Sequence, residues 1–433
     1  MAMRQKILHT PEGVKDIYGK ECRKKLLLQE ELHEMLHLYG YEDIQTPAFE
    51  FLEVFGRDTG IVSSRELYKF FDREGNTLAL RPDITPSVAR VAVTQFEKDS
   101  VPLRMCYIGN TFLNHGSQQG ELCESTQLGA ELIGDGTAGA DAELIALAAD
   151  SLKRAGMKEF QISVGHVEFL QSLLDAAQFP AEVKEKVRTM IARRNFLGMR
   201  ELLEKLPVKR PIREVFYRLP ELVGSVEILN EARELAPDRR AILALERLKE
   251  VYEILKLYHM QEMITFDLGM CGKYAYYSGI IFKSDTFGGG EPVAKGGRYD
   301  RLMERFGREL PAAGFAIGTD ELMKALIRQK IQIPEEPEQI ILLFDWEQRK
   351  YAISLAKEFR GKGKRVELLE REEKKNLSVY HIYGRRKQAG SLIYLRRDEQ
   401  IIMVNLHTGE KKSRRLCVRR SEIDKGANCK NEL

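Results

Sequence analysis

Runs of consecutive strands on either side of a long helical stretch restrict the fold of this chain more than any other feature. Strands are expected near Arg104–Phe112 and Thr126–Ile133, and again at Met263–Leu268, Tyr274–Lys283 and Ala312–Ile317. Between them, from about 167 to 260, the sequence reads mostly as helix, in patterns such as VEFLQSLLDAA and FLGMRELLEKL. Strands that follow one another without crossover helices favour antiparallel pairing. The expectation is an α+β body: a mainly antiparallel sheet flanked by helices and interrupted by a helical insert.

Local signals place the other elements. Leu28, Leu32, Met35 and Leu36 recur at helical spacing within 20–39, and Gly40 ends that helix. Tyr68–Phe71 and Thr77–Leu80 flank a turn rich in Asp72, Gly75 and Asn76, which reads as a hairpin. Thr85 is expected to cap a helix with Pro86 at its first position, and Asp141 to cap one running from Ala142 to Ala155. PAAGFAIGTDEL, from Pro311, reads as a small-residue strand entering a helix capped by Thr319 or Asp320. Such a junction suits a phosphate, yet Asp320 and Glu321 make it acidic. IPEEPEQ, from Ile333, is a linker closing a body that spans 1–330. Beyond it, 338–415 alternates strand and helix as a small α/β domain, and 416–433 lacks periodicity and reads as a disordered tail.

Composition excludes several classes. Lys and Arg total 68 against 65 Asp and Glu, a net charge of +3 over 433 residues, too small to signal a nucleic-acid partner. No apolar run is long enough for a membrane helix, and the first residues carry no secretory pattern, so a cytoplasmic protein is expected. Cys22, Cys106, Cys123, Cys271, Cys417 and Cys429 form no CxxC pair, so neither a zinc site nor a disulfide framework is suggested.

Three motifs have bland explanations. His33-Glu34-Met35-Leu36-His37 matches the HExxH zinc pattern, but no third ligand is signalled nearby, and the histidines share an amphipathic helix. No metal is expected there. Arg385-Arg386-Lys387 and Lys411–Arg415 are basic runs without interleaved aromatics, which usually mark solvated faces. The glycines of FGGGEPVAKGGRYD serve a turn between strands.

Taken together, ordered segments resemble the class II aminoacyl-tRNA synthetase core, and within it the histidyl-tRNA synthetase family. GYEDIQTPAFE is similar to the first class motif, with Pro47 on its dimer-forming strand, and LALRPDITP to a family-specific segment. YIGNTFLNH and ESTQLGAELIG resemble the second motif, YAYYSG and AKGGRYD the histidine signatures, and PAAGFAIGTDEL the third motif. GKRVELLE and RRKQAGSLIYL resemble the anticodon-binding domain. The resemblance runs from about 10 to 415.

By that resemblance, cationic groups used in adenylate formation are replaced. Leu113 stands where the second motif has Arg, Glu321 where the third motif has its Arg, and Gly272 at the arginine of the histidine signature. Losing one preorganised donor costs about 3–4 kcal/mol of transition-state stabilisation. The amino-acid pocket is retained better. Strand alternation puts Gln127, Gly129 and Glu131 on one face and Leu128, Ala130 and Leu132 on the other. By the resemblance the histidine-binding positions are Asp83, Thr85, Gln127, Glu131, Tyr277 and Tyr276. Asp83 stands where the family has Glu, one methylene shorter but still an ammonium partner. Because Tyr276 and Tyr277 should point to opposite faces, Tyr277 is favoured for the pocket and Tyr276 for the core.

A pocket kept without its activation chemistry resembles the regulatory branch of the family, which partners the short catalytic ATP phosphoribosyltransferase. The resemblance implies no catalytic residue and no cofactor in this chain. It implies L-histidine as effector, self-association within a hetero-oligomer, and no role for tRNA or a membrane. An active histidyl-tRNA synthetase with a divergent ATP site is the main alternative, and a stand-alone histidine sensor or tRNA-binding module a third.

Overall fold

The computed structural model describes residues 8–56, 63–96, 102–114, 122–271, 276–287, 290–333 and 338–415. The chain divides into two compact units, Met1–Ile333 and Pro334–Leu433.

In the first unit α1 (Gly19–Leu38) leads to β1 (Glu42–Asp43), β2 (Phe49–Phe51), the one-turn α2 (Leu52–Phe55), the hairpin β3 (Lys69–Phe71) and β4 (Thr77–Leu80), and α3 (Thr85–Gln95). The long pair β5 (Leu103–Phe112) and β6 (Glu124–Ile133) follows, then α4 (Ala138–Arg154) and β7 (Phe160–His166). The helical stretch comprises α5 (Val167–Ala176), α6 (Ala181–Ala192), α7 (Phe196–Glu204), α8 (Arg210–Arg218), the short β8 (Val223–Gly224), α9 (Ile228–Leu235) and α10 (Arg239–Leu257). The unit closes with β9 (Ile264–Asp267), β10 (Ile280–Thr286), β11 (Ala294–Arg298), α11 (Asp300–Arg305), β12 (Ala312–Gly318) and α12 (Thr319–Arg328).

Nine strands form one sheet in the order β1-β5-β6-β12-β11-β10-β7-β9-β8. Only β1 with β5 and β7 with β9 run parallel within it. A separate three-stranded sheet has the order β2-β4-β3. The antiparallel character expected from consecutive strands therefore holds for most of the large sheet.

Apolar residues sort to the two faces of β6 by the period-two rule. Leu128, Ala130 and Leu132 enter the larger core, which α1, α4, α5 and α10 also build. Leu28, Leu32 and Leu36 of α1 are buried there, so truncating one to Ala should cost about 2–5 kcal/mol. Gly40 then turns the chain at φ +80°, a conformation costly for any side chain. The opposite face carries a second core of Ile84, Val88, Met105, Tyr107, Tyr276, Tyr299 and Leu302. The polar positions of β6 open onto that second side, which is where the site lies.

Two buried arginines tie elements of this unit together, Arg81 at the end of β4 and Arg298 between β11 and α4. Arg81 donates to the carbonyls of Asn110 at 2.7 Å and Thr46 at 2.8 Å, tying the end of β4 to β5 and to the loop before β2. Arg298 bonds Asp141 Oδ1 through Nε at 3.0 Å and Nη2 at 2.7 Å, while Arg247 holds the other Asp141 oxygen at 2.9 Å.

Several expected caps are placed differently. Thr137, not Asp141, caps α4 by accepting from the Ala140 amide, and Asp141 serves the arginines. Thr85 is the first residue of α3 rather than its cap. Neither Thr319 nor Asp320 caps α12: Thr319 Oγ1 donates to Thr126 O, and Asp320 accepts from Lys25 Nζ at 3.0 Å and from the Thr126 amide at 3.1 Å. In each case a long-range partner outcompetes the local amide.

The second unit contains β13 (Ile340–Phe344), α13 (Arg349–Gly361), β14 (Val366–Glu370), α14 (Leu377–Arg386), β15 (Ser391–Leu395), β16 (Gln400–Asn405) and β17 (Lys411–Arg415). Its sheet has the order β14-β13-β15-β16-β17, with parallel pairing around β13 and antiparallel pairing beyond β15. The basic run 411–415 is an exposed edge strand, in keeping with a solvated face. The expected tail, 416–433, lies outside the described residues.

Candidate functional site

The site begins at the corner between β4 and α3. Asp83 follows Pro82, and its Oδ1 accepts from the amides of Ile84 at 2.7 Å and Thr85 at 3.4 Å. It therefore satisfies two amides at the very start of α3. Its Oδ2 accepts from the Tyr276 hydroxyl at 2.9 Å. Relieved of capping, the Thr85 hydroxyl donates to Glu131 Oε1 at 2.6 Å.

Glu131 lies on β6 beneath this corner. Tyr107 OH, from β5, also reaches Oε1 at 3.2 Å, and Tyr299 OH, just after β11, donates to Oε2 at 2.5 Å. The carboxyl is 1% exposed. Burial raises its pKa to about 8, the nearby Asp83 charge adds to this, and the hydroxyl donors pull the other way. Tyr107 and Tyr299 are raised well above the normal phenol value by the same burial and by the Glu131 charge.

Two glycines make room for this arrangement. Gly314 of β12 pairs with Glu131, and a Cβ there would stand 1.6 Å from Glu131 Oε2. At Gly129 a Cβ would meet the Tyr107 hydroxyl oxygen at 2.5 Å. The glycine requirement is one of space above a carboxyl and a phenol, not of backbone angle.

A cleft of about 390 Å³ opens over these residues. Asp83, Thr85, Gln127, Tyr276, Tyr277 and Tyr299 line it, whereas Glu131 forms its floor behind the Thr85 and Tyr299 hydroxyls. Gln127 Oε1 is buried and has no hydrogen-bond partner among the described residues. An orphaned acceptor in a cleft wall costs free energy unless a ligand donor meets it. Leu113 and Glu321 line the same cleft, with Glu321 3.4 Å from Lys324. Lys295, Lys324 and Arg328 line it too, so the cleft holds positive groups that the motif positions did not indicate.

The structure brings all six expected histidine-site residues together. Tyr276 serves the second core as expected, but it does not face away from Tyr277, because 276–279 precede β10 and strand alternation does not apply to them. Both tyrosines line the cleft, their ring centroids 5.0 Å apart. Gly272 lies outside the described residues. Sequence reasoning missed Tyr107, Tyr299 and Gly314. Tyr299 was within a recognised motif, but Tyr107 reads as an ordinary strand aromatic.

The nine-stranded, mainly antiparallel sheet, with its cleft floored by a buried carboxyl, defines a chain of the class II synthetase fold, of the histidyl type. The sequence model of the family described as Histidyl-tRNA synthetase matches residues 13–322. The solved histidyl-tRNA synthetase of Nostoc shares that fold at a TM-score of 0.77, with 19% identity over 97% of this chain and 99% of its own. Within this fold the chain belongs to the ATP phosphoribosyltransferase regulatory subunit family. The regulatory subunit of Acetivibrio thermocellus is 37% identical over 93% of this chain and 96% of its own length. That of Ruminiclostridium cellulolyticum is 34% identical over 92% and 95%. A solved Bacillus halodurans protein described as an ATP phosphoribosyltransferase regulatory subunit/histidyl-tRNA synthetase superposes at a TM-score of 0.80, with 33% identity, 90% of this chain and 98% of that one covered.

Proposed function

We propose that this chain is the non-catalytic regulatory subunit of ATP phosphoribosyltransferase, that it is required for activity of the short catalytic subunit, and that it conveys feedback inhibition by histidine. The reaction joins ATP to 5-phosphoribosyl 1-diphosphate and releases pyrophosphate, opening histidine biosynthesis in the cytoplasm. The observation that carries this reading is the orphaned Gln127 acceptor lining the same cleft as the Asp83 carboxylate, a cleft sized for an amino acid. Asp83 suits an ammonium, Gln127 a ring or ammonium N–H, and Lys295, Lys324 or Arg328 the carboxylate of histidine. Glu131, held protonated by burial near neutral pH, fixes the tyrosines around the ligand from below.

Regulation then requires histidine to bind differently to two states of the complex, since a ligand shifts an equilibrium only by differential affinity. Exposed Phe49, Phe51 and Phe71 on the three-stranded sheet supply apolar surface for self-association within the hetero-oligomer. The decisive assay is phosphoribosyl-ATP formation by a matched short catalytic subunit, with and without this protein, while histidine is titrated. Stimulation reversed by histidine is expected. No effect at any concentration would refute the role, and absence of histidine binding by calorimetry would refute the pocket.

Lys295, Lys324 and Arg328 in the cleft favour one other reading, an active synthetase that holds ATP with different cations. Leu113 and Glu321 oppose it, because adenylyl transfer depends on positioned positive charge. Histidine-dependent ATP–pyrophosphate exchange separates the two: none is expected, and robust exchange would establish the synthetase.

A further inference from the structure

The HExxH stretch of α1 gains partners that its sequence neighbourhood does not announce. Leu32 and Leu36 are fully buried, so His33 and His37, each one residue further round the helix, stand together on its flank. Their rings lie 4.3 Å apart between centroids. Next to them β1 pairs in parallel with β5, setting Asp43 opposite Cys106. Asp43 Oδ1 is 2.5 Å from His33 Nε2, its Oδ2 is 3.2 Å from His37 Nε2, and Cys106 Sγ is 3.7 Å from Oδ1. One donor atom from each of the four residues lies within 4.8 Å of every other.

Two imidazoles, a thiol and a carboxylate are a donor set for a borderline-soft divalent ion with tetrahedral preference. Zinc–ligand bonds of about 2.0–2.3 Å place ligand atoms about 3.3–3.8 Å apart around the ion. The observed separations bracket that range, and the exposed His37 and Asp43 side chains and the half-buried His33 can adjust by rotation. A metallopeptidase site would need Glu34 at the ion, but Arg154 lies 3.6 Å from Glu34, and four protein ligands leave no open position.

We propose that His33 Nε2, His37 Nε2, a carboxylate oxygen of Asp43 and Cys106 Sγ form a closed, structural site for a zinc-class ion. On binding, the Cys106 thiol gives its proton to solvent and the thiolate sulfur bonds the metal. The ion links α1 to the β1–β5 edge of the large sheet. The site is separate from the histidine cleft and stands or falls independently of the regulatory role.

The test uses the untagged full chain, reduced and stripped of metal, titrated with Co²⁺ as a spectroscopic probe. A cobalt–thiolate band in the near ultraviolet and tetrahedral d–d bands are expected, saturating at one ion per chain. Zn²⁺ should bleach them and Mg²⁺ should not. His33→Gln and His37→Gln lie on an exposed flank and should abolish the tetrahedral spectrum while circular dichroism of the ion-free protein stays unchanged. Cys106→Ser should remove the near-ultraviolet band; because Cys106 is buried, the histidine variants carry the test if that protein fails to fold. A spectrum without the thiolate band, or one that survives both histidine substitutions, would overturn the proposal.

Discussion

Replacing Glu131 by Gln tests the floor of the cleft most directly. In the folded chain this carboxyl is pushed from its usual value of 4.5 to about 8, chiefly by burial and further by Asp83. A carboxyl whose folded pKa is raised stabilises the fold below its unfolded pKa and loses that contribution as pH rises through its folded pKa. Below 4.5 both states are protonated; between 4.5 and about 8 the unfolded chain ionises while the folded chain does not. Each pH unit of that window is worth about 1.4 kcal/mol, which sets an upper limit of about 5 kcal/mol. Glu131→Gln keeps the shape and cannot ionise, so the variant should gain on the natural protein across this window and hold a constant advantage above it. Chemical unfolding from about pH 5 to about pH 9 measures the difference. Parallel curves for the two proteins would refute the reasoning and show the three hydroxyl donors cancelling the effect of burial.

Further outcomes follow from the same geometry. Gly314→Ala drives a methyl into the Glu131 carboxyl, so the unfolding free energy should fall by at least the about 1–3 kcal/mol of an overpacked core, with weaker histidine binding by calorimetry. Tyr276→Phe removes a donor to Asp83 and should cost about 1.5–3 kcal/mol in denaturant unfolding, the range for hydrogen bonds to charged groups. Asp141→Asn leaves Arg298 and Arg247 without their shared carboxylate and should cost about 3–5 kcal/mol, read in the same way.

Much of the framework was readable because it rests on short-range physics. The β3–β4 hairpin follows from the Asp72, Gly75 and Asn76 turn, where Asp72 accepts from the Glu74 and Asn76 amides. The face of β6 that carries Gln127 and Glu131 follows from the two-residue period of a strand, and α1 from the spacing of its leucines. Caps were read less well. Asp141, Thr319 and Asp320 look like helix starts locally, but Arg298, Thr126 and Lys25 claim their oxygens from far along the chain.

The sequence by itself determined the first helix, the antiparallel character of most of the sheet, and the identity of the polar strand face, because each depends on neighbours within a few residues; β7 and β11 came only with the tertiary structure. The tertiary structure decided what those groups meet. It set Glu131 against Tyr107 and Tyr299 under Gly314, put both Tyr276 and Tyr277 at the cleft, and brought Lys295, Lys324 and Arg328 to a wall the motifs had left without arginine. It also carried Cys106 to Asp43 and the two histidines, 63 residues from the aspartate in sequence. Burial, pKa and donor geometry depend on distance through space, and strand pairing and helix packing alone fix those distances.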